Sequence, residues 1–193
     1  MVDETPVLYA DVPLSAWYAP FVSFMVEEKI ATGYADTAGK PTGEFGVTNP
    51  VTFAETLKMA LNAAGKETGN LPPPRNASAQ GTWAAGFVAQ AEALSLSLFS
   101  PKLNVHSSAT RGAVIQTILE VMGIPTAAKT PSSFKDVPHD HPYAPAIVVA
   151  TTYGLVTGDL DSSGNPLGTF RPDDPITRAE VAKIIALVKE VMQ

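Results

Sequence analysis

The chain of 193 residues contains no cysteine, which excludes disulfides, thiol nucleophiles and cysteine-based zinc sites together. It also lacks any Lys/Arg-rich run: 13 Lys+Arg stand against 19 Asp+Glu, for a formal charge of −6. Nucleic-acid and anionic-membrane binders rely on a basic footprint, so neither partner is expected. An anionic ligand would have to be held by a few well-placed cations. No stretch approaches the ~18 to 20 apolar residues that span a bilayer, so no membrane span is expected. The start, MVDETPVLYADVP, lacks a basic segment followed by an apolar one, so no signal peptide is read there. A cytosolic protein and the mature part of an exported one both remain open. Charged residues are scarce at 17%, whereas 45% are hydrophobic; disorder is therefore not expected, and the length suffices to bury a core.

What the chain does have is an internal repeat. The segment from Tyr9 (YADVPLSAWYAPFV) aligns with that from Phe134 (FKDVPHDHPYAPAI) at a shift of 125 positions. The shift holds without a gap to the end of the unit. It pairs Thr32-Gly33 with Thr157-Gly158, Asp36 with Asp161, Phe45 with Phe170, and VTFAETLK (51–58) with ITRAEVAK (176–183). A third copy lies between them. TWAAGFVAQAEAL from Thr82 matches at a shift of 66, and ATRGAVIQTILEVMG from Ala109 at 58. The middle copy is therefore eight residues shorter and has lost the Gly/Pro-rich connection. The reading is one domain over 1–193: repeat one 9–65, linker 66–82, repeat two 83–124, linker 125–133 and repeat three 134–193.

Each unit reads as helix, connection, helix. In unit three the first helix begins near Pro142 and Pro145, which a first turn tolerates, and ends at Tyr153 before Gly154. The second carries an apolar stripe of Val181, Ile184, Ile185 and Val188. Val114, Ile118, Leu119 and Met122 repeat it in unit two; Leu57, Ala60, Leu61 and Ala64 do so in unit one. One such unit struggles to bury its own stripe, but three can cover one another. The expected fold is mainly α, a pseudo-threefold bundle of three helix-loop-helix repeats with minimal β.

Thr177-x-x-Glu180 and Thr52-x-x-Glu55 have the form of capping boxes. In unit two Ala113 replaces the Glu, so Thr110 caps alone. Capping does not explain Arg178, a cation in the first turn where the helix dipole disfavours it. Arg111 stands at the same place in unit two, and Phe53 in unit one. Two readings remain open for Arg178. One is an anion site with free N–H groups at the helix start; the other is a surface pair with Asp173 or Asp174.

Phe134–Val137, Tyr143, Gly154–Gly158, Gly168–Pro172 and Ile176–Glu180 together resemble the S-layer homology family. The resemblance is strongest in unit three, good in unit one and partial in unit two. It implies a three-pronged helical spindle on the bacterial surface, non-catalytic, whose inter-repeat grooves bind cell-wall polysaccharide, often through a pyruvylated sugar. It implies Arg178 as the chief ligand residue, framed by Thr177 and Glu180, with Asp136 as a second groove residue or a partner orienting an Arg. Arg111 with Thr110 would serve a second groove. Phe53 cannot ion-pair, so its groove is expected to be dead or adapted to stacking. Trp17 and Trp83 precede first helices, where core packing is the default role and a sugar platform the alternative. A within-unit count gives one intact Arg/Glu pair. This leaves a second reading: a structural module retained for self-association or for an S-layer partner, with glycan affinity largely lost.

Other constellations point elsewhere. Asp159–Asn165 looks like a calcium loop, but its twelfth position is Phe170 rather than Glu. His139 and His141 read as a solvated helix start rather than as a metal cluster with His106, and Asn76-Ala77-Ser78 is a sequon of chance frequency. No catalytic constellation, metal site or cofactor is expected.

Overall fold

A computed structural model describes residues 9–127 and 130–192. The chain start, where no leader is read, lies outside the described residues, as do residues 128–129 of the 125–133 linker and Gln193. Among the described residues six helices run in the order α1 (Ala19–Glu27), α2 (Phe53–Ala63), α3 (Ala85–Ala93), α4 (Arg111–Met122), α5 (Ala144–Thr152) and α6 (Arg178–Val191). Among the described residues there is no sheet, only isolated bridges. The fold is mainly α, as the repeat pattern predicts.

The local chemistry sets the helix ends. Thr52 and Thr177 form full capping boxes with Glu55 and Glu180, while Thr110 caps α4 alone. Gly123 closes α4 in the left-handed conformation at φ 73°. Pro20 and Pro145 sit in the first turns of α1 and α5, where no intrahelical N–H is lost.

The second helices α2, α4 and α6 carry the core. The predicted stripe residues are buried in all three, except that Ala64 is only partly covered. The buried apolar residues form one contiguous cluster drawn from all three units. Each first helix packs on the second helix of the preceding unit: α3 on α2, α5 on α4, and α1 on α6. The last of these pairings closes a ring.

At the N-terminal end of the three second helices, the bridges Pro50–Thr177, Thr52–Ser108 and Thr110–Pro175 tie the units together. Each connection also feeds carbonyls to a neighbouring helix start. The N–H groups of Phe53 and Ala54 donate to Ser107 and Val105, those of Arg111 and Gly112 to Asp174 and Pro172, and those of Arg178 and Ala179 to Asn49 and Val47. The groups that a helix leaves unpaired in its first turn are thus satisfied by the next unit, and this orients the whole assembly.

Within segment 66–82, Asn76 is fully buried. Its amide donates to the carbonyls of Ser100 and Leu103 at 2.8 Å, and its side-chain oxygen accepts from Ser78 and Ala79. The tripeptide Asn76-Ala77-Ser78 is thus committed to packing the short connection of unit two, with no room for a glycan on its amide.

Candidate functional site

Arg178 is 6% exposed and Arg111 8%. Neither lies over an open helix start, because the first-turn N–H groups there are already bonded to neighbouring carbonyls and to the Thr caps. This corrects the expectation of free N–H groups for an anion. Neither arginine makes a surface pair with Asp173 or Asp174. Asp173 faces His141 at 3.4 Å, and Asp174 faces Arg171. Each arginine instead crosses into the next unit.

Arg111 reaches from unit two into unit three. Its Nε donates to the Phe170 carbonyl at 2.9 Å, and its terminal nitrogen meets Glu180 Oε1 at 2.7 Å. The guanidinium lies 4.9 Å over the Phe170 ring, which packs in turn on Phe134. Arg178 reaches from unit three into unit one. It lies 4.8 Å from both the Tyr34 and the Phe45 ring, donates to the Thr32 carbonyl at 2.9 Å, and stands 3.8 Å from Glu55 Oε1. Aromatic faces offset part of the cost of burying a charge, and the carboxylates offset more.

The partner of each arginine is therefore the Glu of the following unit. Arg178 and Glu180 are two residues apart on one helix, roughly 200° around its axis, and so face different clefts. The loss of Glu at Ala113 leaves Arg111 untouched, because Arg111 uses Glu180. Two Arg/Glu pairs are intact, where a count within units gives one.

Around each pair is a cleft. One, of about 360 Å³, is lined by Arg178, Glu55, Lys58, Trp83 and the Ile30–Ala35 stretch of the connection. The other, of about 230 Å³, is lined by Arg111, Glu180, Lys183, Trp17 and Leu155–Gly158 with Leu160. The repeat register maps one onto the other: Glu55 on Glu180, Lys58 on Lys183, Met59 on Ile184 and Trp17 on Trp83. Each cleft draws on all three units, one giving the Arg, the next the connection with its Glu and Lys, and the third the Trp.

Trp17 is 54% exposed and Trp83 53%, so neither is a core residue. Lys183 stands 5.9 Å over the Trp17 ring and Lys58 5.7 Å over Trp83. At the third equivalent position the register places Phe53 for the Arg, Ala113 for the Glu, Gln116 for the Lys and Pro142 for the Trp. Gln116 is drawn into a 2.6 Å hydrogen bond with Glu120. All four chemical groups of the cleft are missing there.

Asp136 does not touch an arginine. Its carboxylate accepts from the Phe170 and Arg171 N–H groups, as Asp11 accepts from Phe45, Gly46 and Val47 at 2.7–2.9 Å. Burial alone would push the Asp11 carboxyl up, but those backbone donors hold it below its ordinary value. These aspartates fix the loops that present Phe45 and Phe170 beneath the arginines. Thr177 and Thr110 are likewise caps outside both clefts.

The connections differ at one coupled pair. In unit three, Asp159 and Arg171 form a multidentate ion pair at 2.8–3.0 Å, and the Arg171 hydrogen bonds hold the Asp159 carboxyl below its usual range. In unit one the same positions are Tyr34 and Gly46. A Cβ on Gly46 would stand 2.2 Å from the Tyr34 ring, so the ring fills the space that Arg171 occupies in unit three. The Tyr34 hydroxyl donates to Glu55 Oε1 at 2.9 Å. Burial pushes its pKa up, against the neighbouring Arg178 and with Glu55, so it stays a donor. Asp161 and Asp36 each use an oxygen on N–H groups of their own turns. His141 accepts from the Tyr143 N–H, whereas His106 lies against Ser78 in unit two. Among the described residues no cluster of three metal-ligating side chains forms, and no helix is long and apolar enough to cross a membrane.

The sequence is 30% identical over 112 residues to the middle cell wall protein of Brevibacillus brevis (strain 47). That alignment covers 57% of this chain but 9% of the relative, so the chain spans a small part of its length. Residues 8–57 and 133–182 match the model of the S-layer homology domain. Those two stretches are units one and three through the start of their second helices, and together they exceed half the sequence. The chain belongs to the S-layer homology domain family.

Proposed function

We propose that this chain is a non-catalytic module anchoring a bacterial surface protein to cell-wall polysaccharide, with an anionic sugar, such as a pyruvylated one, held in the Arg111 and Arg178 clefts. The observation that carries this reading is the pair of matched clefts, each combining a buried guanidinium, a lysine, a carboxylate and a half-exposed tryptophan. The cations attract a carboxylate, the Glu accepts from sugar hydroxyls, and the indole offers an apolar face with a polar edge. Membership of the S-layer homology family and likeness to a protein named for the cell wall support a place at the bacterial cell surface. In this reading residues 1–193 act as one domain, because each cleft needs side chains from units 9–65, 83–124 and 134–193. A scaffold for self-association or for an S-layer partner is the second reading. It draws on the third position, where Phe53, Ala113, Gln116 and Pro142 offer nothing to an anion.

Co-sedimentation with wall sacculi, native and stripped of secondary polysaccharide, tests the proposal. The wild type is expected to pellet with native walls only. A variant combining Lys58→Ala, Lys183→Ala, Trp17→Ala and Trp83→Ala, with its helical circular dichroism intact, is expected to stay in the supernatant. Equal binding to stripped walls, or full binding by that variant, would overturn the proposal.

A further inference from the structure

The geometry points to unequal clefts: the Arg178 cleft binds an anionic ligand more tightly than the Arg111 cleft, and the Tyr34/Gly46 pair in place of Asp159/Arg171 is what makes it so. This inference rests on the proposed role of the clefts in holding an anionic glycan. The two clefts carry the same formal set of Arg, Lys, Glu and Trp, so the difference must come from how far each guanidinium is already engaged.

Arg111 is engaged through two of its three nitrogens, where Arg178 has one hydrogen bond, to the Thr32 carbonyl. Glu180 Oε1 holds Arg111 at 2.7 Å, the Phe170 carbonyl takes its Nε, and the Asp159 carboxylate stands in the same connection. The Arg178 Nε is buried with no partner, and Glu55 Oε1 lies 3.8 Å away, beyond hydrogen-bond reach. The reason is Tyr34, whose hydroxyl occupies Glu55 Oε1 at 2.9 Å, while Glu55 Oε2 is taken by the Thr52 capping box. Glu180 Oε2 is used by Thr177 in the same way, which leaves its Oε1 wholly to Arg111.

Replacing Asp159 by Tyr34 in the repeat therefore does two things. It removes a carboxylate together with the Arg171 cation that pairs with it, and it supplies a neutral donor that competes for the Glu facing the arginine. The positive charge of Arg178 is left less compensated and stays available to an incoming carboxylate. Gly46 is the necessary companion. Arg171 occupies the corresponding position at φ 58°, and Gly46 sits at φ 80° with no space for a side chain while the Tyr34 ring is present.

The two tryptophans of the chain make the clefts separately observable, since Trp83 walls the Arg178 cleft and Trp17 the Arg111 cleft. Trp17→Phe thus leaves a reporter for the Arg178 cleft alone, and Trp83→Phe one for the Arg111 cleft. The probe is a methyl hexopyranoside bearing a 4,6-pyruvate ketal, titrated by indole fluorescence alongside the methyl ester of the same ketal. The acid is expected to saturate the Arg178 cleft at about tenfold lower concentration, the order of one charge-assisted hydrogen bond available in one cleft and already made in the other. The neutral ester is expected to show no preference.

Tyr34→Asp with Gly46→Arg, in the Trp17→Phe background, is expected to weaken the Arg178 cleft to the level of its counterpart. Asp159→Tyr with Arg171→Gly, in the Trp83→Phe background, is expected to strengthen the Arg111 cleft. Equal affinities for the acid, or affinities unmoved by both exchanges, overturn the inequality while leaving glycan binding intact. A preference retained by the ester overturns the charge argument. Silence of both tryptophans toward the acid overturns the cleft reading and the inequality with it.

Discussion

Asp11→Ala should be among the most destabilising single substitutions in the described chain, and Asp136→Ala at the equivalent position distinctly milder. The difference follows from which N–H groups are stranded. Asp11 serves Phe45, Gly46 and Val47, all three buried. Asp136 serves Phe170, which is buried, and Arg171, which is exposed and can turn to water. A buried donor left unsatisfied costs about 1–3 kcal/mol, so three predict roughly 3–6 kcal/mol after some relaxation, and one predicts about 1–3. Against a typical domain stability of about 5–15 kcal/mol, the larger figure approaches unfolding. Urea titrations of the wild type and the two variants measure both numbers. The pH dependence provides a second test. Because the backbone donors hold the folded Asp11 carboxyl below its ordinary value, its contribution is present above the unfolded pKa near ~4. That contribution is lost as the pH falls through the lower folded value. Asp11→Asn, which cannot titrate, should be less stable than the wild type at neutral pH, with the gap closing in acid. If Asp136→Ala costs as much as Asp11→Ala, or if the gap to Asp11→Asn does not narrow below about pH 4, the account of the loop clamp is wrong.

Three further outcomes are expected. Gly46→Ala combines a left-handed φ with overlap of the Tyr34 ring and should cost about 2–4 kcal/mol, whereas Gly43→Ala, with open space around it, should cost about 1. Chemical unfolding compares the two, and rescue of Gly46→Ala by Tyr34→Asp checks the cause. Gly112→Ala would ordinarily strengthen a helix by about 1 kcal/mol. Here its Cβ would meet the Tyr143 ring at 2.5 Å, forcing α5 off α4, and a lowered Tm is expected; a raised Tm would refute the close approach. Asn76→Ala takes one donor each from the Ser100 and Leu103 carbonyls, which keep the Leu103 N–H and the Ser78 hydroxyl, and should destabilise by about 1–3 kcal/mol in the same urea assay, the worth of two hydrogen bonds; an unchanged urea midpoint would show that water replaces the amide.

The fold was legible because its signals are local and repeated. Thr52, Thr110 and Thr177 mark helix starts, Gly123 and Gly154 mark ends, and the stripes at Val114 and Val181 recur in register. The cleft residues Arg111, Arg178, Glu180 and Trp17 could be named for the same reason. What could not be read was which copy each residue meets. Thr177, Arg178 and Glu180 look like one motif, yet Arg178 pairs with Glu55 and Glu180 with Arg111, because partners across a ring of similar units leave no trace in the spacing of any one unit. For Asp136 the family resemblance implies a groove residue or a partner orienting an arginine, and only the folded loop shows its oxygens turned onto backbone N–H groups. The signal that could have shown the unequal clefts was the joint change of Asp159 and Arg171 to Tyr34 and Gly46, two positions twelve residues apart that alter together.

The packing of α1 on α6 has a consequence for how the chain can be made and cut. Three units in an open row share two junctions; closing the row adds a third, and that one joins residues more than a hundred and fifty positions apart. Contacts of such long separation slow folding, since the entropy of the loop is lost before the contact forms. During synthesis α1 therefore waits for α6 before it has a surface to cover. Proteolysis in unit three would release α1 and dismantle both clefts at once, because Arg178 belongs to one and Glu180 to the other. Both clefts thus depend on an unbroken circle, so removal of α6 should abolish the two together rather than one of them.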